Sequence, residues 1–153
     1  VDFASGYVFS YCQQNKYHVR AVRGLPLEKK HKLKDNEDGT VTDFTTRLMW
    51  KKEARKKMTW EEALNYCENL NYAGFTDWRL PNINELLSLV DYSQNEPCIN
   101  TEYFPGTKSS QYWSSTTNVL VPKHAWLVLF NHGNISSNAK EKEYWVRPVR
   151  GGL

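Results

Sequence analysis

The 153-residue chain has no run of 18 apolar residues, so no helix of it is expected to span a membrane. It has only three cysteines, Cys12, Cys67 and Cys98, an odd number without the CxxC or CxxH spacing of a zinc site. A helical Cys67 and a loop Cys98 leave two readings open: a disulfide between them, or a buried free thiol and an incidental one. The chain has neither an initial Met nor a charged segment leading into an apolar one, so no export signal is visible. Because the chain reads as part of a longer protein, that absence says nothing about secretion. No Ser/His/Asp, Cys/His or paired-carboxylate arrangement stands out as a catalytic constellation.

What is present is a globular composition, 40% hydrophobic and 24% charged, with six Trp and nine Tyr. Large aromatic side chains suit a fold whose irregular segments are pinned by bulky anchors. Net charge is a mild +3, but Lys29, Lys30, Lys32, Lys34, Lys51, Lys52, Arg55, Lys56 and Lys57 crowd into positions 29–57. Such a patch attracts an anionic polymer in a salt-dependent way, or only keeps the protein soluble.

The chain also carries an internal repeat. Residues 1–26 fall on residues 128–153 at an offset of 127 without a gap, with Val1/Val128, Phe3/Phe130, Gly6/Gly133, Ser10/Ser137, Tyr17/Tyr144, Val19/Val146, Arg20/Arg147, Val22/Val149, Arg23/Arg150 and Gly24/Gly151 identical. This is the signature of tandem duplication: residues 1–26 are expected to be the C-terminal tail of a preceding copy, and 27–153 a complete domain. That tail, with two or three strands and no core of its own, is expected to need a strand partner, and 27–153 to fold without it. Between the retained positions, Tyr7, Phe9 and Tyr11 face Asn134, Ser136 and Asn138. Alternate residues share one face of a strand, and a face that tolerates such changes is expected to lie in solvent, either drifting or serving recognition.

Asp38-Gly39 ahead of Thr40-Val41-Thr42 signals a hairpin. The same stretch fails as an EF-hand, since Lys34 and Thr45 would stand where the first and last carboxylates belong. Strands are expected at His31–Lys34, Thr40–Asp43 and Leu48–Lys51. Thr59-x-x-Glu62 is a capping box opening a helix with Trp60, Ala63, Leu64, Cys67 and Leu70 inward, ended by Gly74. Asn82-x-x-Glu85 opens a second, with Ile83, Leu86, Leu87 and Val90 inward, after a Pro81 that prevents earlier helix. A long ordered loop is expected from Asp91 to Gln111. A strand at Tyr112–Thr117, a polar loop through Pro122, and strands at Ala125–Phe130, Asn134–Asn138 and Tyr144–Arg150 complete an α+β domain with two helices and short antiparallel sheets.

The runs D-N-E-D-G-T-V-T-D (35–43), L-M-W (48–50), T-W-E-E-A-L-x-Y-C (59–67), D-W-R-L-P-N (77–82), E-L-L-S-L-V-D (85–91), Y-F-P (103–105), Y-W-S-S-T-T (112–117) and V-R-x-V-R-G (146–151) together resemble the Lcl C-terminal domain family, from collagen-like bacterial adhesins. The likeness covers 31–151 in order. It implies a C-type-lectin-like fold, an exported bacterial protein (extracellular, cell-surface or periplasmic), and a domain associated with sulfated polysaccharide and with trimers. Many members carry a Cys within V-R-x-V-R that pairs with the helix Cys. Here Pro148 and Ala21 stand there, so that bridge is absent and Cys98 is the one candidate partner for Cys67 within the unit.

More distantly, R-L-P-N and V-R-G-G resemble formylglycine-generating oxidoreductases, but the cysteines that follow that segment there are missing here. The changed hairpin face also resembles the lectin-type variable proteins diversified by retroelements. No E-P-N or W-N-D calcium motif is present, and no metal or cofactor is expected. The expectation is therefore a non-enzymatic recognition domain for a polysaccharide or cell-surface protein, with a relative of the oxidoreductases or a structural, oligomerising domain as alternatives. Neither nucleic acid nor membrane insertion is expected, and a homo-oligomer is left open. The candidate ligand contacts are Lys123, His124, Asn131, His132, Asn134, Ser136 and Asn138 on the hairpin, with Lys51, Lys52, Lys56 and Lys57 in the basic cluster. Trp50, Trp60, Trp78 and Trp113 are expected as core anchors or sugar platforms, and Arg147 and Arg150 as ion-pair or anion-binding groups.

Overall fold

The computed structural model describes residues 32–152. The expected tail 1–26, the start of the first strand at His31, and Cys12, Lys29 and Lys30 lie outside the described residues. The elements run β1 (Leu33–Asp35), β2 (Thr40–Asp43), β3 (Leu48–Lys51), β4 (Arg55–Met58), α1 (Trp60–Glu68), α2 (Ile83–Ser88), β5 (Gln111–Thr117), β6 (His124–Leu129), β7 (Asn134–Ala139), β8 (Tyr144–Val146) and β9 (Val149–Gly151). The domain is α+β.

Two sheets form. One has the order β1-β2-β3-β9 and the other β4-β8-β5-β6-β7, antiparallel throughout except where Tyr112 of β5 meets Trp145 of β8 in parallel. Strand alternation sends neighbouring residues of β5 to opposite sides. Tyr112 joins a core with Val41, Trp50, Leu86, Ile99, Phe104, Val128 and Val149, uniting the small sheet, α2 and the 91–111 loop. Trp113 joins a second core with Met58, Ala63, Cys67, Leu80, Leu127 and Val146 beneath α1. The five-stranded sheet is therefore the middle layer, and Trp50, Trp78 and Trp113 are fully enclosed anchors.

Both helices start as the capping boxes dictate. Thr59 Oγ1 accepts from Glu62 N while Glu62 Oε2 accepts from Thr59 N, and Asn82 and Glu85 repeat the exchange. The first helix stops at Glu68, short of Gly74. Asn69 ends it by turning its side-chain amide back onto Asn65 O at 2.8 Å. Gly74 instead shares with Ala73 a positive φ that closes a tight turn between Tyr72 and Phe75.

Two further expectations need correcting. The single strand over 144–150 is two strands in two sheets. It breaks at Arg147-Pro148, where proline has no N–H to donate and the Arg147 side chain turns into the interior. β4 was not expected at all, because Arg55-Lys56-Lys57 has no apolar alternation; it pairs with β8 as an edge strand.

Candidate functional site

The basic cluster divides into half-buried and exposed cations. Lys51 is half-buried with Nζ 4.5 Å from the centre of the Tyr72 ring, and burial pushes its ammonium pKa down. Lys52 pairs with Asp35. Arg55, Lys56 and Lys57 are exposed in succession along β4, and among the described residues none is in an ion pair with a carboxylate. Arg55 lies 5.6 Å from the Tyr66 ring. Charged residues on an edge strand also block addition of a foreign strand.

The hairpin candidates do not form one cluster. Lys123 and His124 stand at one end of the β6–β7 ladder, where His124 pairs with Ala139; Asn131 and His132 stand in the turn beyond Leu129 and Asn134 at the other. Five residues of strand separate the ends, about 17 Å. Asn134, Ser136 and Asn138 do share a face, as expected, but it is not a solvent face. It is the side of Ala125, Leu127 and Leu129, facing the second core, and all three residues are half-buried at its margin. Asn138 Nδ2 donates to Tyr144 Oη at 2.6 Å. The polar residues are accommodated because β7 is an edge strand. Asn131 Oδ1 is buried with no hydrogen-bond partner among the described residues, while His132 is exposed.

Trp60 departs from the enclosed Trp50, Trp78 and Trp113. Its Nε1 donates to Ser114 O at 2.9 Å, but the ring is half-buried and lies 4.0 Å from Lys140 Nζ. It borders an open trough of about 630 Å³ between one face of α1 and the β7–β8 turn, lined in part by Leu64, Glu61, Glu68, Lys140 and Glu141. Sequence reasoning missed this trough because Lys140 is remote in sequence and carries no motif.

The two retained arginines have different fates. Arg150 binds Asp77 through Nε and Nη2, at 2.6 and 3.1 Å, and lies 3.7 Å from the Phe75 ring. Arg147 is fully buried and has no carboxylate partner among the described residues. It donates to the carbonyls of Lys51 and Lys52 and, at 2.7 Å, to Thr107 Oγ1, over the faces of Phe104 and Tyr112; Nε has no partner among the described residues. Burial brings its pKa down to about 10. This is a structural cation that stands in for missing backbone pairing where the chain leaves β3.

Of the two readings left open, the structure has Cys67 and Cys98 as free thiols, and both are buried. Cys67 belongs to the core under α1, whereas Cys98 Sγ donates to Asn131 O at 3.7 Å beside the β6–β7 turn. Burial pushes the Cys67 thiol up to about 12. Among the described residues no group of His, Cys, Asp and Glu is arranged to hold a metal ion.

Two capped helices and two antiparallel-rich sheets, with cations displayed on an edge strand, define a small α+β domain. The sequence model of the Lcl C-terminal domain matches residues 39–150, and the chain belongs to that family. No curated protein matches it significantly.

Proposed function

We propose that this chain is a non-enzymatic recognition domain of an exported, surface-associated bacterial protein of adhesin type, and that its ligand is an anionic polysaccharide. The observation that carries this reading is the succession Arg55, Lys56 and Lys57 on the outer strand β4, exposed and, among the described residues, in no direct ion pair with a carboxylate. Cations spaced along an extended strand match the repeating charges of a linear polyanion, and membership of the Lcl C-terminal domain family accords with an adhesin-type role. Lys51 and Lys52 are engaged instead, with the Tyr72 ring and with Asp35.

Retention on immobilised heparin across a salt gradient tests it. The protein is expected to bind with an affinity that falls steeply with salt, and Lys56→Glu with Lys57→Glu to weaken it by about tenfold or more. Binding indifferent to salt or to that double change would remove the assignment. Formylglycine appearing on a sulfatase-type cysteine peptide would overturn its non-enzymatic part.

A further inference from the structure

Arg147 puts a whole positive charge in the interior with nothing of opposite sign beside it. The residue is fully buried, and none of the ion pairs among the described residues includes it. Its hydrogen-bond partners, the carbonyls of Lys51 and Lys52 and Thr107 Oγ1, are all neutral. The Tyr112 hydroxyl also acts on the guanidinium, but burial pushes its pKa up and keeps it uncharged. Among charged side chains, the one that responds to Arg147 is Lys51, another cation. Neutral dipoles repay only part of the hydration that a buried ion loses, so such an ion is ordinarily matched by a counter-charge.

The polar atoms left over around it are donors. Arg147 Nε is buried with no partner among the described residues, and so is the indole Nε1 of the fully buried Trp50. Both residues meet the same rings. The guanidinium lies 4.9 Å from the centre of Phe104 and 6.0 Å from that of Tyr112, and Trp50 belongs to the core which those rings help to form. Buried N–H groups without an acceptor are rare in folded proteins. The one buried side-chain acceptor in the same condition, Asn131 Oδ1, belongs to the β6–β7 turn beside Cys98. Two donors and an unmatched positive charge call for an acceptor that carries negative charge. Water answers this less well, because its own hydrogens would need acceptors in turn. The duplicated segment keeps the cation: Arg20 corresponds to Arg147, although Ala21 replaces the neighbouring Pro148.

We infer that Arg147 anchors an internal anion site, in which a monatomic halide, chloride first of all, accepts hydrogen bonds from Arg147 Nε and Trp50 Nε1. Both side chains are fully buried, so the ion is taken up as the chain folds and bulky anions are excluded. The site is distinct from the exposed cations of β4, and its consequence is for the fold. Arg147 ties the break between β8 and β9 to β3 and to Thr107 of the 91–111 loop, and an ion that binds the folded chain alone strengthens that junction by mass action.

Urea unfolding of the full chain at constant ionic strength, with chloride replaced stepwise by gluconate, tests the inference. Once chloride exceeds its dissociation constant, the unfolding equilibrium constant is expected to fall about tenfold for each tenfold rise in chloride, the slope of a single ion. Bromide is expected to act alike, and crystals of the full chain grown in bromide to show an anomalous peak in contact with Arg147 Nε and Trp50 Nε1. Arg147→Met, which keeps much of the bulk and removes every donor, is expected to unfold more readily and without any chloride dependence; where that variant does not fold, the bromide peak decides. Equal stability in chloride and gluconate overturns the inference, as does a chloride effect that Arg147→Met retains. An ordered water at Arg147 Nε that bromide does not replace, or bromide at exposed lysines alone, would mark water or an adventitious ion only and overturn it equally.

Discussion

Arg79 and Glu85 face each other through two parallel hydrogen bonds, Nη1 to Oε2 at 2.8 Å and Nη2 to Oε1 at 2.7 Å. Oε2 of the same carboxylate accepts Asn82 N at 2.8 Å, and Arg79 Nη2 also reaches Gly151 O at 3.0 Å. One ion pair therefore joins the segment before α2, the start of that helix and the end of β9. Exchanging the carboxylate for an amide removes its charge and one of the two parallel bonds to Arg79, while the amide oxygen still serves the capping box. Glu85→Gln is expected to destabilise the domain by about 2 kcal/mol, measured by urea denaturation. An unchanged midpoint would show that the pair is decorative.

The same pair fixes an acid response. Burial alone would raise the Glu85 pKa, but the bonds from Arg79 and from Asn82 N bring it below its ordinary 4.5. Asp77 is likewise lowered, chiefly by its bond to Arg150. A carboxyl depressed in the folded state contributes stability that is complete above its unfolded pKa and lost as pH falls through the folded one. Stability is expected to hold from neutral pH down to about 5 and to decline below about 4.5, with a shallower decline in Glu85→Gln. Thermal melts across that range check it, and equal slopes for the two proteins would refute it.

Arg147 makes the most demanding claim on the interior. Truncation to Ala opens a cavity beside Phe104 and Tyr112 and leaves two carbonyls and Thr107 Oγ1 without their donor. A loss of about 4 kcal/mol is expected for Arg147→Ala in denaturant titrations. A loss below about 1 kcal/mol would mean that water replaces the guanidinium without penalty.

Gly133 combines a φ of +71° with a close approach: a Cβ there would lie 2.6 Å from Tyr92 Cε1 and 2.7 Å from Val90 Cγ1. Tyr92 cannot simply swing away without losing its hydrogen bond to Gly133 O at 2.9 Å. Gly133→Ala is expected to cost about 2 kcal/mol through strain and overpacking together. A melting temperature equal to the parent's would contradict both contributions.

The free, buried cysteines give a chemical test. Cys67, with its thiol pushed up to about 12, presents almost no thiolate near neutrality. Cys67 and Cys98 are expected to resist iodoacetamide in the folded protein and to be labelled after unfolding without prior reduction, as peptide mapping would reveal. Labelling of either only after reduction would establish a bridge.

The sequence by itself determined what depends on neighbours along the chain. Both capping boxes, the Asp38-Gly39 turn, the enclosure of Trp50, Trp78 and Trp113, the α+β class and the family were legible because residues a few positions apart already encode caps, turns and apolar periodicity. Tertiary structure decided what depends on distant partners. β4 is a strand because β8 lies alongside it, although Arg55-Lys56-Lys57 has no strand pattern. Tyr144–Arg150 splits because Arg147 finds its carbonyls on Lys51 and Lys52, nearly a hundred positions away. Lys51 and Lys56 look alike in sequence, yet one is half-buried against Tyr72 and the other is exposed. Asn134, Ser136 and Asn138 were correctly grouped by their spacing of two, but only the pairing of β7 with β6 settled which side they face. A period of two states which residues share a face; the packing of the sheet decides which face meets water.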